Sequence, residues 1–306
     1  MNQHKNLSDL RITKASGEKS LYDRMKLIQS MVRSGASIQT AEMVASEVES
    51  ELEEGTSTKK IYRKAFKLLR QKSVQIASQY HLKQAVMRLG PSGYPFEQFV
   101  GELFKADGYD VRVGQILRGA CVNHEVDVIA YKENYVFVCE CKFRNQPGSK
   151  TDVKVALYVH SRFNDLRSVI EAENGEFLKH MELGPYNKKN PISPAYNPDR
   201  PIFFQGAIVT NAKFTEDAIQ YGECSDLFLI GWDHDGENSL LQMIRRSGRL
   251  PITLLKSISG NEIDRIIARG IVVCRDLLEK IDIVDELGID KSKKRRLTTE
   301  LEHIVN

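Results

Sequence analysis

Two alternating runs dominate the chain. Residues 123–131, NHEVDVIAY, and 134–143, NYVFVCECKF, are rich in β-branched and aromatic side chains, and a polar turn at 132–134 separates them. That pattern predicts an antiparallel hairpin. In the second run Tyr135, Phe137, Cys139, Cys141 and Phe143 fall on one face, and Val136, Val138, Glu140 and Lys142 on the other. A carboxylate and an ammonium therefore end an otherwise apolar face, roughly 7 Å apart as strand positions i and i+2. Asp127, in the first run, can bring a second carboxylate to the same point. Cys139 and Cys141 flank Glu140 but face the other way, as core residues.

Helical spacing precedes the hairpin. YPFEQFVGELFKADGYDV sets Phe96, Phe99, Val100, Leu103 and Phe104 on one face with Glu97 beside the stripe. Gly108 ends this helix and a strand follows over 109–117. After the hairpin, residues 150–171 predict a helix with Val155, Tyr158, Val159, Phe163 and Leu166 on one side, in which a lone histidine such as His160 is more often merely solvated or hydrogen-bonded. Five prolines and the pair Lys188 and Lys189 make 171–201 a long loop, read as bordering a substrate cleft. IFFQGAIVT, a helix over 215–221 and DLFLIGW predict a β-α-β ending. Asp233, His234 and Asp235 read as a solvated turn.

The flanks are organised differently. Residues 1–9 form a polar end, and 10–22 predict a short hairpin turning at Ser16–Gly17. Three helices follow: one carrying Met25, Ile28 and Val32, one over about 40–53 and one over about 58–73. Residues 74–92 read as a helical linker closing in LGPSG. From 237 to 306, short apolar helices separated by Gly270 and Gly288 predict an all-helical domain. Lys291, Lys293, Lys294, Arg295 and Arg296 directly follow the second glycine. Backbone N–H groups at a glycine-turned helix start, with cations beside them, suit a DNA phosphate. A charge run of this kind is more often only a solvated face.

Composition narrows the class. With 306 residues, 41% hydrophobic and 28% charged, the chain is long enough for two or three domains. No 18-residue apolar run and no apolar leader are present, which gives no support for membrane insertion or secretion. Five cysteines without paired spacing point to reduced thiols and a cytoplasmic setting. A net charge of +3 is only weakly basic, so any nucleic-acid footprint must arise from local clustering.

Two carboxylates and a lysine suit metal-assisted phosphodiester hydrolysis. Asp127 and Glu140 would hold Mg²⁺, with Mn²⁺ as a substitute. Lys142 would orient or deprotonate the attacking water and offset charge developing on the phosphate. The plain alternative is a solvated Glu–Lys pair at a strand end.

On these residues the sequence resembles the PD-(D/E)xK nuclease superfamily, in the branch of Mrr-like restriction endonucleases and archaeal Holliday-junction resolvases. The resemblance rests on the G-x-x-F-E opening (Gly93, Phe96, Glu97), the LF-x-x-x-GY-x-V helix end, the D-V-I strand at Asp127 and the E-C-K at 140–142. It implies a restriction-endonuclease-like α/β core, a mixed central sheet flanked by helices, in which the helix over 150–171 packs on the sheet and offers His160 and Arg162 as candidate substrate contacts. Asp127, Glu140 and Lys142 would form its catalytic centre, with Glu97 positioning metal or water. Val126 stands where the superfamily's name has proline.

Residues 9–73 resemble the ATP-cone, the nucleotide-binding regulatory domain of ribonucleotide reductases and of their transcriptional repressor. The matching residues are Ile12, Thr13, Lys14 and Gly17, then Asp23 and Lys26, then Thr58 and Ile61. The resemblance implies that Lys14 and Lys26 contact phosphates of ATP or dATP. Ala15-Ser16-Gly17 replaces the usual R-D-G turn. A small dimerisation or winged-helix DNA-binding module is the alternative for this region.

The layout expected is thus a polar end (1–9), a small α+β ATP-cone-like domain (10–73), a linker (74–92), a nuclease domain (93–236) and a helical, helix-hairpin-helix-like domain (237–306). The function expected is Mg²⁺-dependent DNA cleavage of a restriction or repair type, by a homodimer that presents one centre to each strand. The rival is a non-catalytic, nucleotide-sensing DNA-binding regulator. An RNA-directed nuclease would share the same motif.

Overall fold

Alternation and helical spacing translate into two separately cored units, one over Met1–Gln84 with Thr299–Asn306 and one over Ala85–Thr298. The computed structural model describes residues 9–14, 17–146, 148–172, 201–234 and 236–305. Most of the expected polar N-terminal end, the Ala15-Ser16 half of the first turn, most of the proline-rich loop with Lys188 and Lys189, and Asp235 lie outside the described residues.

The first unit opens with a hairpin of β1 (Arg11–Thr13) and β2 (Lys19–Leu21), with Ile12 opposite Ser20. Helices α1 (Arg24–Val32), α2 (Ile38–Glu49) and α3 (Thr58–Lys72) follow, capped by Asp23, Ser37 and Ser57, each side chain accepting from a backbone N–H of the first turn. Then comes α4 (Val74–Val86). Ala77 is buried with Ile28, Met31, Ala65 and Leu69, so much of the expected linker belongs to the N-terminal core. In α1 the buried residues are Leu27, Ile28 and Met31, whereas Met25 and Val32 are 55% and 39% exposed. Those two lie on the far side of Ile28 from Leu27 and Met31, at the edge of the apolar arc.

In the second unit α5 (Tyr94–Ala106) precedes a meander of β3 (Asp110–Arg118), β4 (Asn123–Lys132) and β5 (Tyr135–Lys142). The β4–β5 turn is tight: Lys132 pairs with Tyr135 and Glu133 takes the left-handed conformation, with φ 56°. A two-residue strand, β6 (Lys150–Thr151), leads into α6 (Val153–Ala172). After the loop come β7 (Phe203–Thr210), β8 (Lys213–Phe214), α7 (Glu216–Cys224) and β9 (Phe228–Ile230). The five-stranded sheet has the order β3-β4-β5-β7-β9, antiparallel across the meander and parallel from β5 onward. β6 pairs with β8 apart from it.

Helices flank this mixed sheet. On one face Phe104 of α5 packs on Phe137, which also meets Tyr109 and Phe228. On the other, Phe163, Leu166 and Ile170 of α6 pack on Ile129, Val136 and Val138. Tyr158, expected on the apolar side of α6, is 70% exposed; Val159, Phe163 and Leu166 are buried as expected, with Ala156 and Ile170 beside them.

The segment after 236 is built from α8 (Leu240–Ser247), α9 (Gly260–Ile267), α10 (Cys274–Glu279), α11 (Ile283–Glu286) and α12 (Lys291–Val305), with a bridge between Pro251 and Val273. Expected as a separate domain, it groups up to Thr298 with the sheet, while its last residues group with the first unit. The bonds responsible are long-range. Arg246 grips the Asp107 carboxylate at 3.2 and 2.5 Å, and Leu240 N–H donates to the Gly231 carbonyl. Arg88 donates to the Thr253 carbonyl and Thr253 Oγ1 to that of Ala85.

Candidate active site

Register brings the predicted acidic residues together. Val128 pairs with Cys139, so Asp127 lies beside Glu140 at the end of the β4–β5 ladder. On its other side the pairs Val113–Val128 and Gln115–Val126 leave Gly114, at φ 62°, opposite Asp127. Asp127 Oδ2 accepts the Cys141 N–H at 2.6 Å, which fixes one carboxylate oxygen between the two strands. Glu97 comes from the first turn of α5. Its Oε1 lies 3.1 Å from where a Cβ on Gly93 would sit, so glycine there leaves this carboxylate its place.

Electrostatics mark the cluster. Burial, reinforced by Asp127, Glu125 and Glu140, pushes Glu97 up to about 7. Burial and then Glu140 push Asp127 up to about 6, against the pull of the Cys141 N–H and Arg162. Carboxyl groups displaced upward by burial and by neighbouring carboxylates are a frequent mark of functional sites. Among the described residues Lys142 Nζ makes no hydrogen bond or ion pair, while its backbone carbonyl accepts from Thr210 Oγ1 at 2.7 Å. One turn further, the Asn211 amide clasps Arg144, accepting from its N–H at 2.8 Å and donating to its carbonyl at 2.9 Å.

Arg162 supplies the main counter-charge. From α6 its Nη1 reaches Glu140 Oε2 at 2.5 Å and the Glu125 carbonyl at 3.3 Å. The sequence offered Arg162 only as a substrate contact and did not single out Glu125. The signal for Glu125 was its place two residues before Asp127. His160, the other candidate on α6, bonds to Tyr221 and Asn164 instead.

Among the described residues no three His, Cys, Asp or Glu side chains are arranged to hold a metal ion. Magnesium does not need three: it binds through one or two carboxylates and completes its shell with waters and substrate phosphate. The hard-oxygen pair of Asp127 and Glu140 fits that chemistry. Cys139 and Cys141 do not compete, because both thiols are buried and burial pushes them up.

The other predicted residues are placed as follows. Lys14 and Lys26 line one cavity of about 260 Å³ in the first unit, with Tyr22, Leu27, Thr58 and Ile61. Lys14 pairs with Glu18 at 3.0 Å and Lys26 with Asp23 at 3.2 Å. At the start of α12 the Asp290 side chain accepts the Lys293 N–H, so that backbone donor is used internally. Lys293 pairs with Glu262, and Lys294 with both Asp282 and Asp285. Lys291, Arg295 and Arg296 are exposed. Asp233 pairs with Lys213, in keeping with a solvated turn. Among the described residues no helix is long and apolar enough to cross a membrane.

Similarity to known proteins runs along much of the chain. A family model described as AF1548-like, C-terminal, matches residues 250–305. An Archaeoglobus fulgidus protein described as uncharacterized is 27% identical over 207 residues, spanning 67% of this chain and 99% of that relative. A crystal structure of a protein of unknown function, AF1548, has a TM-score of 0.52 and 27% identity, covering 70% of this chain and 98% of the other. These similarities concern sequence and fold, and none brings an activity with it.

Proposed function

We propose that the chain is a Mg²⁺-dependent DNA endonuclease with a restriction-endonuclease-like core. One observation carries this: Glu97 of α5 converges on Asp127 and Glu140 at the end of the sheet, where burial and the neighbouring carboxylates push Glu97 and Asp127 up, and Lys142, whose Nζ makes no bond among the described residues, is on the same strand as Glu140. The order helix, three-strand meander, helix, parallel strand supports this reading, because it is compatible with the α/β core that the resemblance implies. Asp127 and Glu140 would hold the ion, which when bound lowers the pKa of water and polarises a phosphoryl oxygen. Lys142 orients the attacking water and balances charge gathering on the phosphate. Glu97, held near neutrality, can accept that water's proton.

The first unit would sense nucleotide. Lys14 and Lys26 flanking one cavity supports ATP or dATP there, with their carboxylate partners exchanged for phosphates. A second reading, a DNA-binding regulator without turnover, is favoured by a specific contact: Arg162 occupies the Glu140 carboxylate that the ion needs. Incubation of plasmid, linear duplex, four-way junction and RNA with Mg²⁺ or Mn²⁺, with and without ATP, separates the two. Cleavage that Asp127→Ala abolishes supports the nuclease. Tight binding with no product on any substrate supports the regulator.

A further inference from the structure

Helix α3, TKKIYRKAFKLLRQK, carries seven lysines and arginines and no acid. At 3.6 residues per turn, Lys59, Lys60, Arg63, Lys64, Lys67 and Arg70 fall within an arc of about 140° that runs for about 16 Å. Ile61, Ala65, Leu68 and Leu69 fill the opposite side and are buried in the first unit's core. Lys64 pairs with Glu51 at 2.7 Å and Glu47 at 3.9 Å, and Arg70 approaches Glu300 at 3.9 Å. Among the described residues the side chains of Lys59, Lys60, Arg63 and Lys67 make no hydrogen bond or ion pair, Lys60 and Lys67 act on Glu51 only through space, and all four are exposed.

Like charges at i and i+4 destabilise a helix, and exposed helices ordinarily interleave acids with bases. Lys59, Arg63 and Lys67 violate that rule twice in succession. The arc presents about one positive charge per 3 Å, close to the one phosphate per 3.4 Å of axis on a DNA strand. Insertion into a lipid surface would demand a free apolar face, and the apolar face of α3 is already spent on the core, which leaves anionic lipid only a charge-based contact.

We infer that the exposed face of α3 binds the phosphodiester backbone of duplex DNA without reading sequence. It contributes more to affinity than the α12 cluster, two of whose lysines are tied to acids of the chain itself. The choice of DNA rests on the nuclease reading; the polyanion contact does not.

The test is fluorescence anisotropy of the full chain with a labelled duplex in EDTA over about 50–200 mM salt, comparing wild type with Lys59→Gln/Arg63→Gln/Lys67→Gln. Three lost phosphate contacts reduce the log–log salt slope by about 2.7 and weaken binding at least tenfold. The charge-conserving pair Lys59→Arg/Lys67→Arg keeps wild-type affinity, and melting curves verify folding. An unchanged affinity and slope in a folded triple variant overturns the proposal. So does tighter binding to an RNA duplex, or to vesicles of anionic lipid, than to DNA. Asp127→Ala, run in parallel, separates the two readings: it leaves this binding intact while removing any cleavage.

Discussion

Arg162 holds Glu140 by an ion pair that spans from helix α6 to the C-terminal end of strand β5, and it also donates to the Glu125 carbonyl. The guanidinium thus offsets Glu140 directly and Asp127 through space. On the proposed reading it would compete with a metal ion for Glu140 and, once displaced, be free to meet phosphate.

Replacing Arg162 therefore has two opposite effects. Arg162→Gln strengthens Mn²⁺ binding, by up to about fivefold for a partly exposed ion pair, and lowers cleavage by weakening the hold on phosphate. Titration followed by electron paramagnetic resonance checks the first and initial rates the second. Weaker Mn²⁺ binding would contradict the competition.

Asp127 costs stability when ionised. Its folded value of about 6 lies above the 3.8 of the free side chain, so its favourable contribution is complete below 3.8 and is lost as pH rises through 6. Glu97 acts in the same sense between 4.5 and about 7. Asp127→Asn should raise unfolding free energy at pH 8 by roughly 1–2 kcal/mol, about half the full linkage value because water partly reaches the side chain. The gain disappears near pH 4. Chemical denaturation at the two pH values measures it, and saturating Mg²⁺ should erase the difference at pH 8.

Asp165 organises the β3–β4 loop. Its carboxylate accepts from Cys121 N–H at 2.8 Å, Val122 N–H at 3.4 Å and His124 Nε2 at 2.7 Å, and the His124 and Cys121 bonds hold it down at about 2. A Cβ on Gly119 would overlap that carboxylate and come within 2.7 Å of the Val122 carbonyl. Gly119→Ala should cost roughly 1–3 kcal/mol of stability without changing Mn²⁺ affinity. Both are read on one preparation, by denaturation and by titration.

In the first unit, Lys14→Gln and Lys26→Gln should each weaken ATP binding about tenfold, the loss of one charge-assisted contact of some 1.5 kcal/mol. Calorimetric titration of the full chain decides it. Full retention of ATP affinity in both variants would remove these lysines from the site.

Much of the sheet unit was legible because its signals are local. Phe96, Phe99, Val100, Leu103 and Phe104 all proved buried, and the alternation through 123–143 gave the hairpin and its turn. The meeting of Asp127 with Glu140 followed from the same alternation. What escaped was decided by partners distant in sequence. Tyr158 and Val159 are neighbours that face different ways because Val159 packs in the cluster of Ile208, Phe214 and Leu229 and leaves Tyr158 outward. Lys293 and Lys294 look like free cations until Glu262, Asp282 and Asp285 are folded against them. The bonds of Arg246 to Asp107 and of Arg88 to Thr253 span 139 and 165 residues, and no spacing announces them. Two-residue strands such as β6 and β8 carry no period at all.

Cleavage of supercoiled plasmid in Mg²⁺ tests the central claim most directly, with wild type, Asp127→Ala and Lys142→Ala compared at equal DNA occupancy. The account predicts nicked and linear product from wild type and, for each variant, a rate at least a hundredfold lower with DNA still bound, the usual scale for losing one catalytic group. Wild-type protein that binds plasmid and leaves it intact in both Mg²⁺ and Mn²⁺, or an Asp127→Ala variant that cuts as fast as wild type, would contradict it.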